Sequence, residues 1–181
     1  MDEITLTRPD DWHLHLRDDT MLTTTVPPTA DVFGRAIVMP NLKPPVTTLD
    51  QARTYRDRIL TARPTGSAFE PLMTLYLTDT MDPEEIHRAA DSGLVFGCKL
   101  YPAGATTNSD SGVLDPGAIG HLYEALQEAG LPLLVHGEVT DADVDIFDRE
   151  RVFIERHLAD IRERLPDLRV VLERVTPEDA V

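Results

Sequence analysis

Two histidines stand two residues apart in Trp12-His13-Leu14-His15-Leu16-Arg17-Asp18 and alternate with leucines. That alternation reads as a β-strand, whose side chains point to opposite faces in turn. His13 and His15 then share one face and can share one metal ion. The plainer alternative is a strand edge carrying two exposed histidines. What favours the metal is a set of further candidates placed at the ends of other apolar runs: Asn41 after Met39-Pro40, Lys99 before Leu100-Tyr101-Pro102, His136 before Gly137-Glu138, and Glu173-Arg174.

Lys99 lies inside an apolar run, where an ammonium is costly unless paired or modified. It either reaches out to the mouth of the sheet or pairs with Glu138. The sharper alternative is a carbamate, since desolvation favours the neutral amine that takes up carbon dioxide. The product is an anion whose two oxygens can bridge two metal ions. Cys98, one residue earlier, faces the opposite way, toward covering helices, as a small buried residue. His136 is either a satisfied core histidine or a ligand at a strand end. Glu138 reads as a partner behind the ligands or a helix cap. His87, His121 and His157 fall on helical stretches and read as surface or packing residues.

The elements that must position these groups are legible. Short apolar runs at 12–16, 36–39, 72–77, 95–101, 133–136 and 170–172 alternate with amphipathic stretches. Continuous apolar runs suit parallel strands buried on both faces. Thr48 with Gln51 predicts a capping box. Asp82-Pro83 and Asp115-Pro116 each predict an N-cap followed by proline at the first helical position. Gly93 and Gly130 stand where left-handed helix stops belong. Ile154, Leu158, Ile161 and Leu165 form an apolar stripe at helical spacing. Repeated βα implies a parallel sheet with covering helices, and active sites in such barrels lie at the C-terminal strand ends. Six strands are two short of a closed (β/α)₈ barrel. Thr176-Pro177-Glu178 reads as the start of one more helix just before Val181. The expectation is therefore a single domain over residues 1–181 that is an incomplete (β/α)₈ TIM-type barrel. A complete open α/β sheet with a short tail is the alternative.

The formal net charge of −15 over 181 residues argues against nucleic acid as a partner. No run is long enough to span a bilayer and no apolar leader follows Met1-Asp2-Glu3, so a cytoplasmic location is expected. The single cysteine fits a reducing compartment. Lysines are two of the 17 basic residues. That pattern suits a salt-rich cytosol or GC-rich coding equally.

Four motifs taken together, 12–18, Met39-Pro40-Asn41-Leu42, Lys99-Leu100-Tyr101-Pro102-Ala103 and Leu134-Val135-His136-Gly137-Glu138, resemble the dihydroorotases of the amidohydrolase superfamily, bacterial single-function type. The match runs from about Arg8 to the C-terminus. The resemblance implies a (β/α)₈ barrel with two zinc ions. The reaction implied is reversible conversion of L-dihydroorotate to N-carbamoyl-L-aspartate in pyrimidine synthesis. On matching positions, His13 and His15 hold one zinc, Lys99 as a carbamate bridges both, and His136 holds the second. Arg17 and Asn41, with His15 and His136, face the substrate, and a guanidinium fork suits its carboxylate.

Two departures accompany the resemblance. The family places a zinc-binding histidine in a stretch like Glu173-Arg174-Val175-Thr176, and here that position is Arg174, which cannot ligate zinc. The family's acid/base aspartate belongs to an eighth strand, beyond residue 181, and the substrate-closing loop is assigned to that region. The chain alone is therefore expected to be weak or inactive. The partners expected are the small-molecule substrate, neither nucleic acid nor membrane, with a homodimer as an option because open sheet edges favour self-association. A non-catalytic metal-binding fragment and a hydantoinase-like cyclic amidohydrolase are the competing readings.

Overall fold

The computed structural model describes residues 4–173 and 175–178. Among these, six strands form one parallel sheet in sequence order: β1 (Asp11–Leu14), β2 (Arg35–Val38), β3 (Glu70–Tyr76), β4 (Val95–Leu100), β5 (Leu133–His136) and β6 (Val170–Glu173). Each runs parallel to its neighbour. The helices between them are α1 (Leu22–Val32), α2 (Leu49–Ala62), α3 (Pro83–Asp91), α4 (Gly120–Ala129), α5 (Arg149–Phe153) and α6 (Ala159–Arg164).

Alternation within the strands sorts side chains into two layers. Leu16, Ala36, Val38, Met73, Leu75, Cys98, Leu100, Leu133 and Val135 pack outward against the helices in one large core. Ile37, Met39, Leu72 and Leu134 form a smaller cluster on the other face. His13 and His15 alternate with Leu14 and Leu16 and so project with that inner cluster, as does Lys99 between Cys98 and Leu100.

The sheet curls strongly. His13 Nδ1 on β1 lies 3.1 Å from Glu173 Oε1 on β6. Five inter-strand gaps of ~4.8 Å would separate these strands by about 24 Å in a flat sheet. Inward-pointing side chains meet across the interior only because the sheet bends round as part of a (β/α)₈ wall.

Local signals explain two helix starts and one helix end. Thr48 accepts from the Gln51 amide while Gln51 Oε1 accepts from the Thr48 amide, which is the expected capping box. Asp82 accepts from the Glu84 amide, with Pro83 opening α3. Gly130 ends α4 at φ +66, where a side chain would be strained.

Two expectations are corrected. Asp115-Pro116 opens a turn, closed by the Asp115 side chain on the Gly117 amide, and α4 begins at Gly120. The stripe from Ile154 to Leu165 is also not one regular helix. A π-turn at Ile154–Leu158 separates α5 from α6. Its wider turn breaks the 3.6-residue spacing, so Phe153 and Ile161 are buried while Ile154 and Leu158 are partly exposed.

Candidate metal and carboxylate site

At the C-terminal ends of β1 and β2, His13, His15, Arg17 and Asn41 line one cavity of about 520 Å³ with Thr106 and Thr107. The tautomers of the two imidazoles decide what fits between them. Asn41 Nδ2 donates to the Thr107 carbonyl at 3.0 Å, which fixes the amide so that Oδ1 faces His15 Nδ1 at 2.9 Å. His15 therefore carries its proton on Nδ1. His13 Nδ1 faces the Glu173 carboxylate, which favours a proton there too. Both Nε2 atoms are then acceptors, and they face each other 3.1 Å apart. Two lone pairs at that distance repel unless a cation lies between them. With zinc–nitrogen bonds of 2.0–2.1 Å, a 3.1 Å separation subtends roughly 100° at the metal, near tetrahedral. A carbonyl or carboxylate behind each ligating imidazole is the usual support for such a pair. The donor set thus fits a divalent metal.

Burial, then the charges of His13 and Arg17, push His15 down to about 4 despite its Asn41 contact. It stays neutral, as a ligand must.

Lys99 is fully buried and its ammonium meets Glu173 Oε2. The alternative pairing with Glu138 is not what forms: Glu138 Oε1 lies 3.2 Å from His136 Nε2 instead. Burial opposes ionisation of Glu173, but His13 and Lys99 outweigh it and hold the carboxyl below its usual range. Lys99 Nζ also sits 5.1 Å over the Tyr101 ring, and that ring tilts against buried His136 at 5.9 Å. Lys99 is thus joined to His13 through Glu173 and to His136 through Tyr101. Among the described residues, no three of His, Cys, Asp and Glu form a ready metal cluster. Arg174 lies outside the described residues.

Arg17 occupies a left-handed backbone conformation, φ +62, and its Nη1 is buried without a hydrogen-bond partner among the described residues. A lone guanidinium arm beside two imidazoles is an anion-binding arrangement. Cys98 is fully buried on the helix side, as expected, and burial pushes its thiol up to about 12.

Two features were missed in the sequence. Glu173 stood only among strand-end residues, with no partner assigned. The loop after β4 overhangs the site and is held by reciprocal amide contacts: Asn41 to the Thr107 carbonyl, and Asn108 Nδ2 to the Asn41 carbonyl at 3.0 Å. Its only sequence signal was a polar stretch, Thr106-Thr107-Asn108-Ser109, directly after the Lys99 strand.

Residues 10–177 match the model of the amidohydrolase family. The chain belongs to that family. It is 65% identical over 180 residues to the dihydroorotase of Alcanivorax borkumensis, covering 99% of this chain and 52% of that protein. It is 60% identical over 181 residues to the dihydroorotase of Hahella chejuensis, again 52% of that protein. The crystal structure of dihydroorotase from Campylobacter jejuni superposes with a TM-score of 0.85 at 39% identity, covering 96% of this chain and 49% of that one. Dihydroorotase from Saccharomyces cerevisiae, solved with 5-fluoroorotic acid, gives 0.83 at 35% identity over 95% of this chain and 49% of that one. The L-hydantoinase of Arthrobacter aurescens shares the fold, at 0.68 and 16% identity, covering 90% of this chain and 40% of that one. The chain spans about half the length of the curated relatives it matches. The family is generally metal-dependent. Among the described residues, no helix is long and apolar enough to cross a membrane.

Proposed function

We propose that the chain serves the dihydroorotase reaction, interconverting L-dihydroorotate and N-carbamoyl-L-aspartate, with little or no turnover from residues 1–181 alone. The observation that carries this reading is the unpartnered Arg17 Nη1 in the same cavity as two imidazole acceptors facing each other. One group suits a carboxylate and the other a metal, and both substrates carry a carboxylate on the carbon next to a ureido nitrogen.

His13 and His15 would hold one zinc, His136 a second, and carboxylated Lys99 both. A metal held there would supply Lewis acidity, making a bound water nucleophilic near neutral pH and polarising an amide carbonyl. The chain's own residues do the rest. Asn41 holds His15 in the tautomer that leaves Nε2 free to ligate. Arg17 pairs with the carboxylate and reverses the local sign of a strongly acidic surface. Carboxylation of Lys99 requires it to part from Glu173, since two anions would otherwise meet. The L-hydantoinase likeness, at 16% identity, speaks for the fold alone, and Arg17 favours a ring bearing a carboxylate.

The test is consumption of L-dihydroorotate by the zinc-loaded chain, alone and mixed with a separately expressed C-terminal portion of the Alcanivorax borkumensis dihydroorotase. Activity restored by mixing, and lost in Arg17→Ala, supports the reading. A chain that neither binds zinc nor gains activity on mixing sinks it and leaves a non-catalytic fragment.

A further inference from the structure

Arginine has no intrinsic reason to adopt φ +62, so something must hold Arg17 there. The next two residues are as irregular: Asp18 is extended and Asp19 returns to φ +51. The holding groups come from one face of α2. Tyr55 donates its hydroxyl to the Arg17 carbonyl at 2.6 Å. Three residues on, Arg58 grips Asp18 with both arms of its fork, Nε to Oδ1 at 2.8 Å and Nη2 to Oδ2 at 2.6 Å. Asp18 Oδ1 also accepts from the Asp19 amide at 2.8 Å. The Arg58 guanidinium stacks 5.5 Å from the Tyr55 ring centre, so the two act as one unit.

These contacts fix both ends of the peptide unit joining Arg17 to Asp18. A carbonyl held by a buried phenol resists the change of φ at Arg17 that would swing its side chain away from the histidines. Tyr55 is almost fully buried, and burial raises its phenol well above the usual range, so the hydroxyl remains a donor. Burial of Asp18 works against ionisation, but Arg58 and the Asp19 amide outweigh it and keep the carboxylate charged.

We propose that Tyr55, together with the Asp18–Arg58 pair, is a positioning residue that aims Arg17 at the substrate carboxylate. The proposal rests on the reading of Arg17 given above. It assigns a specificity role to residues on α2 that face the core and the far side of the turn rather than the cavity.

The probes are L-dihydroorotate and 5,6-dihydrouracil, the same ring without its carboxylate, titrated into the zinc-loaded chain. Tyr55→Phe keeps the ring packing and removes only the donor. It should weaken L-dihydroorotate about five-fold, the worth of one ordinary hydrogen bond, leave 5,6-dihydrouracil unchanged and lower Tm by about 2–4 °C. Arg58→Lys, which keeps the charge but not the fork, should act in the same direction. Arg17→Ala should abolish the preference for the carboxylate ligand. If Arg17→Ala abolishes it and Tyr55→Phe does not reduce it, the positioning role is wrong and the Arg17 reading stands. If Arg17→Ala changes nothing, the Arg17 reading itself fails and takes the proposal with it. Equal weakening of both ligands by Tyr55→Phe means a merely structural role and overturns the proposal. A ligand-free measurement decides the matter should neither probe bind. The Arg17 backbone carbon shifts should leave their left-handed values in Tyr55→Phe, and their retention overturns the proposal.

Discussion

Lys99 and Glu173 form an ion pair across the interior, one on the fourth strand and one on the sixth, with the Lys99 side chain fully buried and that of Glu173 7% exposed. Removing one partner of such a pair leaves an uncompensated charge at a cost of about 3–5 kcal/mol, whereas replacing both with apolar groups is often neutral. Glu173→Leu or Lys99→Met alone should therefore destabilise the metal-free chain by about 3 kcal/mol. Lys99→Met combined with Glu173→Leu should recover most of that loss. Urea denaturation of the two single variants and the double variant checks this, and additive losses would show that the pair is not coupled.

The facing Nε2 atoms of His13 and His15 make a direct prediction about zinc. Elemental analysis of protein purified without chelators should find zinc, and added zinc should raise Tm. A ligand at 100 times its dissociation constant stabilises by about 2.7 kcal/mol. His13→Ala and His15→Ala should each remove this response. A zinc-dependent rise in Tm that survives both substitutions would place the metal elsewhere.

His15 also predicts a pH dependence. Its value falls from 6.5 in the unfolded chain to about 4 in the fold. Above pH 6.5 it is neutral in both states and contributes nothing. As pH falls from 6.5 toward 4, the unfolded chain binds a proton that the folded chain refuses, so stability declines across that window. Tm measured in chelator from pH 7 to 4 should fall more steeply for the native chain than for His15→Gln. Parallel curves would show that another group is responsible.

Much of this arrangement was legible in the residues because it depends on local periodicity. Alternation alone placed His13 with His15 and set Lys99 against Cys98. The Thr48 and Asp82 caps follow from side chains that reach amides two or three residues on. What was not legible depends on curvature or on single dihedral angles. Glu173 reaches His13 because the sheet bends its first strand toward its sixth, a relation with no short-range signal. The left-handed Arg17 is set by a tyrosine 38 residues away. The π-turn at Ile154–Leu158 leaves an apolar stripe that still looks helical. The loop carrying Thr106 and Thr107 has no periodicity to read, and its attachment to Asn41 is tertiary.

That loop is held closely enough to predict what disturbs it. It folds back on its own stem, with Val113 donating to the Tyr101 carbonyl at 2.8 Å and Ala103 donating to the Val113 carbonyl at 2.9 Å. Gly112 sits inside this closure. A methyl there would lie 2.4 Å from the Tyr101 carbonyl oxygen and 2.9 Å from that of Ser109, both backbone atoms that cannot step aside alone. Gly112→Ala must therefore open the stem and shift Thr107 away from Asn41. The cost should be about 1–3 kcal/mol, the usual range for overpacking. The shift also releases the Asn41 amide that orients His15, so zinc affinity should fall together with stability. Calorimetric zinc titration beside a urea curve checks both. Stability lost with zinc affinity intact would mean that Asn41 keeps its orientation without the loop.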